Sequence, residues 1–173
     1  KRMEDWLNNM GDWCISRKRY WGLPLPFYET EDGELHIVGS KIELFERAVD
    51  PERVHQLPEL HRPWIDDIEI RTPSGKIAKR CLDVGDCWLD AGIVPFSTLG
   101  YMTDDRSDWD RWYPADFVSE MREQIRLWFY SMLFMSVTLE SKSPYRAVMT
   151  YEKMNDENGR PMHKSEGNAI WFD

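Results

Sequence analysis

At 173 residues the chain is long enough for one domain with a substantial core, and 42% hydrophobic with 31% charged residues is ordinary globular composition. No apolar run reaches the length of a membrane span, and the start KRMEDWLNNM lacks the apolar centre of a signal peptide. A formal net charge of −9 argues against a general nucleic-acid-coating role but leaves room for a local basic site, while three cysteines without a secretory signal predict free thiols in a reducing, cytoplasmic compartment.

In chain order, Met3, Trp6, Leu7 and Met10 give residues 1–10 helical spacing, and Gly11 is placed to close that helix at C′. Asp12 to Tyr20 is dense in cations and aromatics, and Gly22–Pro26 forces extended chain. Phe27–Tyr28 and Leu35–Val38 read as strands around a Glu31–Gly33 turn. Ser40 is a good N-cap for a helix to about Val49, with Ile42, Phe45 and Val49 on one face. Ile68, Ile70 and Ile77 alternate about Thr72–Gly75 as a second hairpin. Cys87–Leu89 reads as a short buried strand and Gly100–Trp112 as an acidic, aromatic loop or short helix. Phe117–Met121 is a predicted strand, followed by a helix from about Glu123 to Leu139 whose stripe is Ile125, Trp128, Phe129, Met132 and Leu133. Arg146–Tyr151 closes the pattern as a last strand. Both ends read as those of an excerpt from a longer protein, since the chain starts within a patterned element and stops on AIWFD.

Strand, long helix, strand is a βαβ unit, which predicts parallel pairing and a ligand site beyond the carboxyl ends of the strands. Those ends carry Glu120, Arg122, Glu123 and Gln124 in one loop and His163, Lys164 and Ser165 in the other. A carboxylate there can hold a substrate ammonium, although acidic residues at a helix start also serve as plain caps. The loop GRPMHKSEGN (159–168) suits a phosphate-rich ligand, because a Lys ammonium is a point charge on a long stem; an exposed turn is the alternative. Arg17, Lys18 and Arg19, among Trp and Tyr, can meet phosphates or pack at a domain joint. No metal site is expected: Cys81 and Cys87 lack CxxC spacing and read as small buried hydrophobes.

In order and spacing, four blocks resemble the class I aminoacyl-tRNA synthetases. WLNNMGDWCISRKRYWGLPLP is similar to the segment re-entering their catalytic domain after the inserted editing domain, close to DWxISRxRYWGxPxP, in the isoleucyl more than the valyl form. HRPWIDDI and LDVGDCWLDAG resemble HRPxxD and VxDxWFDSG, and PADFVSEMREQIRLWFYSML resembles PADxxxEGxDQxRGWFxxxL. VMTYEKMNDENGRPMHKSEGN resembles VLxHGxxxDxxGxKMSKSxGN, the strand and KMSKS loop. The resemblance implies an α/β fold: the second half of a Rossmann-type parallel sheet in 1–22 and 83–173, with a small β-rich connective module of two hairpins and a helix inserted at 23–82. It implies ATP, with magnesium, as the cofactor and tRNA and isoleucine as partners. Lys164 would hold ATP phosphates and stabilise the transition state of adenylate formation, with His163, Ser165 and Gln124 also at the ATP. Glu120 would contact the aminoacyl-adenylate's amino group, Glu123 and Gln124 its ribose and neighbouring atoms, and Trp128 the aliphatic pocket. Arg17, Lys18 and Arg19 would be tRNA contacts.

The departures from the family pattern bear on activity. Pro161 replaces the first lysine and His163 the first serine of KMSKS, while Met121 and Leu127 stand where the family has Gly. ETEDGE and RTPSG replace Cys pairs, so no structural zinc is expected in the hairpins. No HIGH motif occurs, His36-Ile37-Val38-Gly39 being a false echo, so the chain by itself is expected to be inactive. A valyl or leucyl synthetase, or a paralogue that only binds, are the alternative readings.

Overall fold

The structure, a computed structural model, describes residues 1–171; positions 172–173, the end of the AIWFD run, lie outside the described residues. The chain divides into two compact units, Gly11–Asp90 and a second built from Lys1–Met10 with Ala91–Asp173. Helix α1 (Arg2–Asn9) opens the chain, and it ends because Met10 turns extended, not through a left-handed Gly11. Among the described residues no helix is long and apolar enough to cross a membrane.

In the Gly11–Asp90 unit, β1 (Ser16–Arg17) precedes the predicted hairpin of β2 (Phe27–Thr30) and β3 (Leu35–Ile37). Helix α2 (Lys41–Arg47) starts where Ser40 Oγ accepts the Glu43 amide at 3.1 Å. Its buried face is Leu44, continued by Ala48, whereas Ile42 and Phe45 are exposed, which corrects the expected stripe. A short α3 (Pro51–His55), capped by Asp50 and begun on a proline, was not foreseen. Strands β4 (Ile70–Arg71) and β5 (Ile77–Arg80) form the second hairpin, and β2–β5 pairing joins both into one antiparallel sheet of order β3-β2-β5-β4. The turns need glycine at Gly33 and Gly75, whose φ of +85° and +84° strains any residue with a Cβ. The two turns meet through Lys76 Nζ, 2.5 Å from Asp32 and 3.5 Å from Glu34. The sheet packs Tyr28, Ile70 and Ala78 against Val38, Leu44, Val54, Ile65 and Ile68.

Strand β6 (Val84–Gly85) pairs antiparallel with β1, so the compact unit carries the flanks of the 23–82 segment with it. Cys87–Leu89 is not a strand; it is the first turn of α4 (Cys87–Thr98). Asp86 is the reason: its carboxylate accepts the Trp88 amide at 2.8 Å and its carbonyl accepts that of Leu89 at 2.9 Å, which starts a helix. Cys14, Cys81 and Cys87 are all free thiols, but Cys87 is exposed and Cys81 only half-buried, so neither is the small buried hydrophobe expected.

In the other unit, α5 (Ser107–Trp112) brings Trp109 into a buried aromatic group with Phe96, Tyr101 and Tyr113. Strands β7 (Ala115–Met121) and β8 (Tyr145–Tyr151) pair in parallel, as the βαβ reading requires. The intervening helix is not continuous from Glu123. A 3-10 turn (Arg122–Arg126) ends at Leu127 (φ −125°, ψ −109°), and α6 runs Trp128–Glu140. Phe129 and Met132 of the expected stripe are buried with Val118, and Trp128 and Ile125 pack beside them.

Helices α4 and α6 touch backbone to backbone at Gly92, where an added Cβ would lie 2.7 Å from both C and O of Ser131. Gly92→Ala is therefore expected to destabilise the unit by ~1–3 kcal/mol, because neither backbone can move aside. The check is thermal unfolding of that unit, with a fall of ~4–8 °C expected per kcal/mol lost at its size.

Candidate ligand site at the parallel strand ends

Parallel pairing sets Ser119 opposite Met149, Glu120 opposite Thr150 and Met121 opposite Tyr151, so both strands end at the same level. Glu120 Oε2 accepts the Met121 amide at 3.0 Å and the Tyr151 hydroxyl at 3.5 Å, which fixes the carboxylate at the strand end. Arg122 pairs with Glu152 at 2.7 Å, and Glu123 Oε1 lies 4.0 Å from Lys153 Nζ. The two strand ends are thus laced together by exposed or half-exposed ion pairs, each worth little to stability. Glu123 Oε2 is different: it is shielded from solvent and has no hydrogen-bond partner. A carboxylate oxygen in that condition gains from a ligand hydroxyl or ammonium.

Gln124 has a structural duty, since its Oε1 accepts the Trp128 amide at 3.1 Å and so caps α6. The Trp128 indole donates to the Ala91 carbonyl at 3.3 Å, which holds the ring in the half-buried seam beside Phe129. Because α6 starts at Trp128, its amino end lies later in the chain than the predicted start at Glu123, and Glu123 belongs to the 3-10 turn instead.

The loop after β8 folds on itself. Asp156 accepts the amides of Asn158 and Arg160, both at 2.9 Å, and the Arg160 guanidinium at 3.0 Å, with Asn155 and Pro161 bridging across. The Asn168 amide group, which also bonds the Asp156 carboxylate at 3.0 Å, accepts the His163 amide at 2.8 Å and donates to the Pro161 carbonyl at 3.2 Å. The Asn168 amide, the Arg160 backbone and its guanidinium hold the Asp156 carboxyl below its usual range. Lys164 and Ser165 begin a 3-10 turn (Lys164–Glu166), and Lys164 Nζ lies 4.9 Å from the centroid of the Trp171 ring. The contacts described for His163 and Lys164 are thus within their own loop segment, whereas Glu120 and Glu123 meet the strand end at 151–153. Asp156 and Asn168 had no assigned role in the sequence reading. Their signal was in the strand-and-loop pattern, whose D and final N fall on these two positions, but the contact between them shows only once the chain closes.

The cations of residues 12–22 divide. Arg17 is spent on structure: its guanidinium pairs with the buried Asp86 carboxylate and donates to the Cys14 carbonyl at 2.6 Å and its neighbour's at 2.8 Å. Burial alone would raise the Asp86 pKa; the Trp88 amide, the Trp13 indole and Arg17 more than offset it and hold the carboxyl low. Lys18 and Arg19 remain exposed.

Comparison with known proteins fits these observations. The family model described as tRNA synthetases class I (I, L, M and V) matches residues 1–171. The isoleucine–tRNA ligase of Methanothrix thermoacetophila is 39% identical over 170 residues, which is 98% of this chain and 16% of that protein. The isoleucine–tRNA ligase of Saccharolobus solfataricus is 41% identical over 172 residues, again 98% of the chain and 17% of the relative. The chain thus spans about a sixth of the curated relatives it matches. Among solved structures, the ternary complex of Agrobacterium radiobacter K84 agnB2 LeuRS-tRNA-LeuAMS aligns with a TM-score of 0.65 at 22% identity, covering 92% of this chain and 22% of that one, a likeness of fold.

Proposed function

Because the chain belongs to the class I tRNA synthetases of the isoleucine, leucine, methionine and valine group, we propose that it is part of the catalytic domain of an isoleucine–tRNA ligase. The full-length protein then activates isoleucine with ATP and passes it to tRNA in the cytoplasm; the names of the relatives at 39–41% identity, isoleucine–tRNA ligases, support the isoleucine and the tRNA. Residues 1–22 and 83–173 are its share of a Rossmann-type sheet, and 23–82 the inserted connective module. The observation that carries this reading is the fixed Glu120 carboxylate at the level where β7 and β8 end together.

In adenylate formation a carboxylate attacks the α-phosphate and pyrophosphate leaves, so the protein's task is positioning and charge neutralisation. Glu120 takes the ammonium of the amino acid. Glu123, with one shielded and unpartnered oxygen, takes the ribose or a neighbouring atom, alongside Gln124. Trp128, its indole held by the Ala91 carbonyl, lines the aliphatic pocket. Lys164, flanked by His163 and Ser165, meets the phosphates; its ammonium rests on a ring face, a contact it can leave more readily than a carboxylate. Magnesium would come in on the ATP phosphates, the usual way this ion is held at a nucleotide site. Lys18 and Arg19 contact tRNA, and Arg17 braces the segment that presents them.

The test is ATP–pyrophosphate exchange by the full-length protein. Exchange driven by isoleucine is expected. Exchange driven only by valine or leucine moves the assignment within the family, and none with any of the three leaves a binding-only protein.

A further inference from the structure

We propose that Asn168 and Asp156 form a side-chain clamp that positions Lys164, making both of them positioning residues for adenylate formation. The inference rests on the reading of Lys164 given above. Twelve residues apart in sequence, the two side chains meet through Asn168 Nδ2 and Asp156 Oδ2 at 3.0 Å. Asn168 does more than close the loop. Its second N–H reaches the Pro161 carbonyl at 3.2 Å, and its oxygen accepts the His163 amide at 2.8 Å. One carboxamide therefore ties the loop base, the incoming arm and the backbone amide of His163, the residue immediately before Lys164.

Few side chains can do this. Two N–H donors and a carbonyl acceptor on one planar group are needed, which aspartate, serine and leucine cannot supply and which glutamine supplies one carbon too far out. Asp156 is equally committed, since its oxygens take two backbone amides and the Arg160 guanidinium besides Asn168. Its side chain is only 9% exposed in a loop that is otherwise largely open to solvent. With His163 held and the 3-10 turn closed by Gly167 at φ +67°, the Lys164 backbone leaves the loop in one direction. A long flexible stem gains most from such a fixed root, because each loose torsion before it spreads the ammonium over positions where it neutralises nothing.

The experiment uses the full-length enzyme, with exchange rates and amide hydrogen exchange read on the same variants. Asn168→Ala is expected to lower kcat for isoleucine-dependent exchange ~10- to 100-fold while the KM for ATP changes little, and to speed hydrogen exchange at Arg160 and His163. Asn168→Asp keeps the size but sets a second carboxylate against Asp156. Its defect should shrink as pH is lowered and the pair takes up a proton, a response that a loss of mere bulk would not give. Asp156→Asn combined with Asn168→Asp restores a donor–acceptor pair and should recover part of the rate each single change loses. Normal kcat in Asn168→Ala, or a pH-independent defect in Asn168→Asp without recovery in the double variant, overturns the clamp. If Lys164→Ala is inactive while Asn168→Ala is normal, the clamp falls and the function of Lys164 stands. If Lys164→Ala is itself active, both fall together.

Discussion

Replacing Lys164 by alanine in the full-length enzyme is expected to lower the rate of adenylate formation by ~10²–10³, the typical cost of one preorganised charge contact to a developing anion. The loss should fall on the chemical step, with ground-state ATP binding changed far less, since the charge matters most as pyrophosphate departs. Single-turnover adenylation alongside equilibrium ATP binding separates the two. Lys164→Arg should rescue only in part, because a planar fork does not replace a compact ammonium on a flexible stem. Pro161 is the internal control: it carries no charge, so Pro161→Lys should leave the rate unchanged or raise it by adding the cation that the family's loop has at that place. Near-normal adenylation by Lys164→Ala would reduce the loop to a solvated turn.

How much of this was legible in the sequence depended on range. The hairpin turns were, because Asp32-Gly33 and Ser74-Gly75 encode them within a few residues, and so was the Ser40 cap. The parallel pairing of β7 with β8 followed from two apolar runs around a helical stripe, and it brought Glu120 and Tyr151 side by side. Cys87–Leu89 looks like a strand by composition but is drawn into a helix by the adjacent Asp86 cap, a local signal that the strand reading passed over. The other misses were decided by partners far along the chain. Leu44 wins the buried face of α2 over Ile42 and Phe45 because a sheet assembled from β2 and β5 lies on that side. Arg17 reads as a surface cation until Asp86, 69 residues later, claims it. At the candidate site the residue types were readable, whereas the Asn168 clamp and the Trp171 perch of Lys164 depend on how the loop closes.

The second large effect is expected in the Gly11–Asp90 unit, where Asp66→Ala should cost ~3–5 kcal/mol. The Arg80 side chain is fully buried, and its guanidinium donates to the carbonyls of Cys81 at 2.7 Å, Asp83 at 3.3 Å and Leu25 at 3.4 Å while pairing with the Asp66 carboxylate. The other oxygen of Asp66 takes Arg62 Nε at 2.8 Å, and Arg62 in turn donates to the Arg19 carbonyl at 3.1 Å. Removing Asp66 leaves a buried cation with carbonyl dipoles alone to balance it, a far worse state than losing the pair entirely. Asp66→Ala with Arg80→Met should therefore be less destabilised than the sum of the singles, with a coupling toward the upper end of ~0.5–3 kcal/mol. The same pair fixes the pH response. Burial alone would raise the Asp66 pKa, but Arg62 and Arg80 more than offset it and hold the carboxyl below its ordinary value. A depressed folded-state value means the stabilisation is complete above the ordinary carboxylate pKa of about 4 and is lost as pH falls through the folded one. Urea unfolding read by hydrogen exchange at the Cys81 amide, which donates to the Phe27 carbonyl at 2.8 Å, reports this unit separately. Wild-type protection should weaken as the pH drops below about 4, whereas Asp66→Ala should start low and fall less steeply, its remaining acid response coming from Asp86, Asp32 and Glu43, whose carboxyls are also held low in this unit. A variant as stable as wild type at pH 7 would mean that water reaches Arg80 and does the work assigned to Asp66.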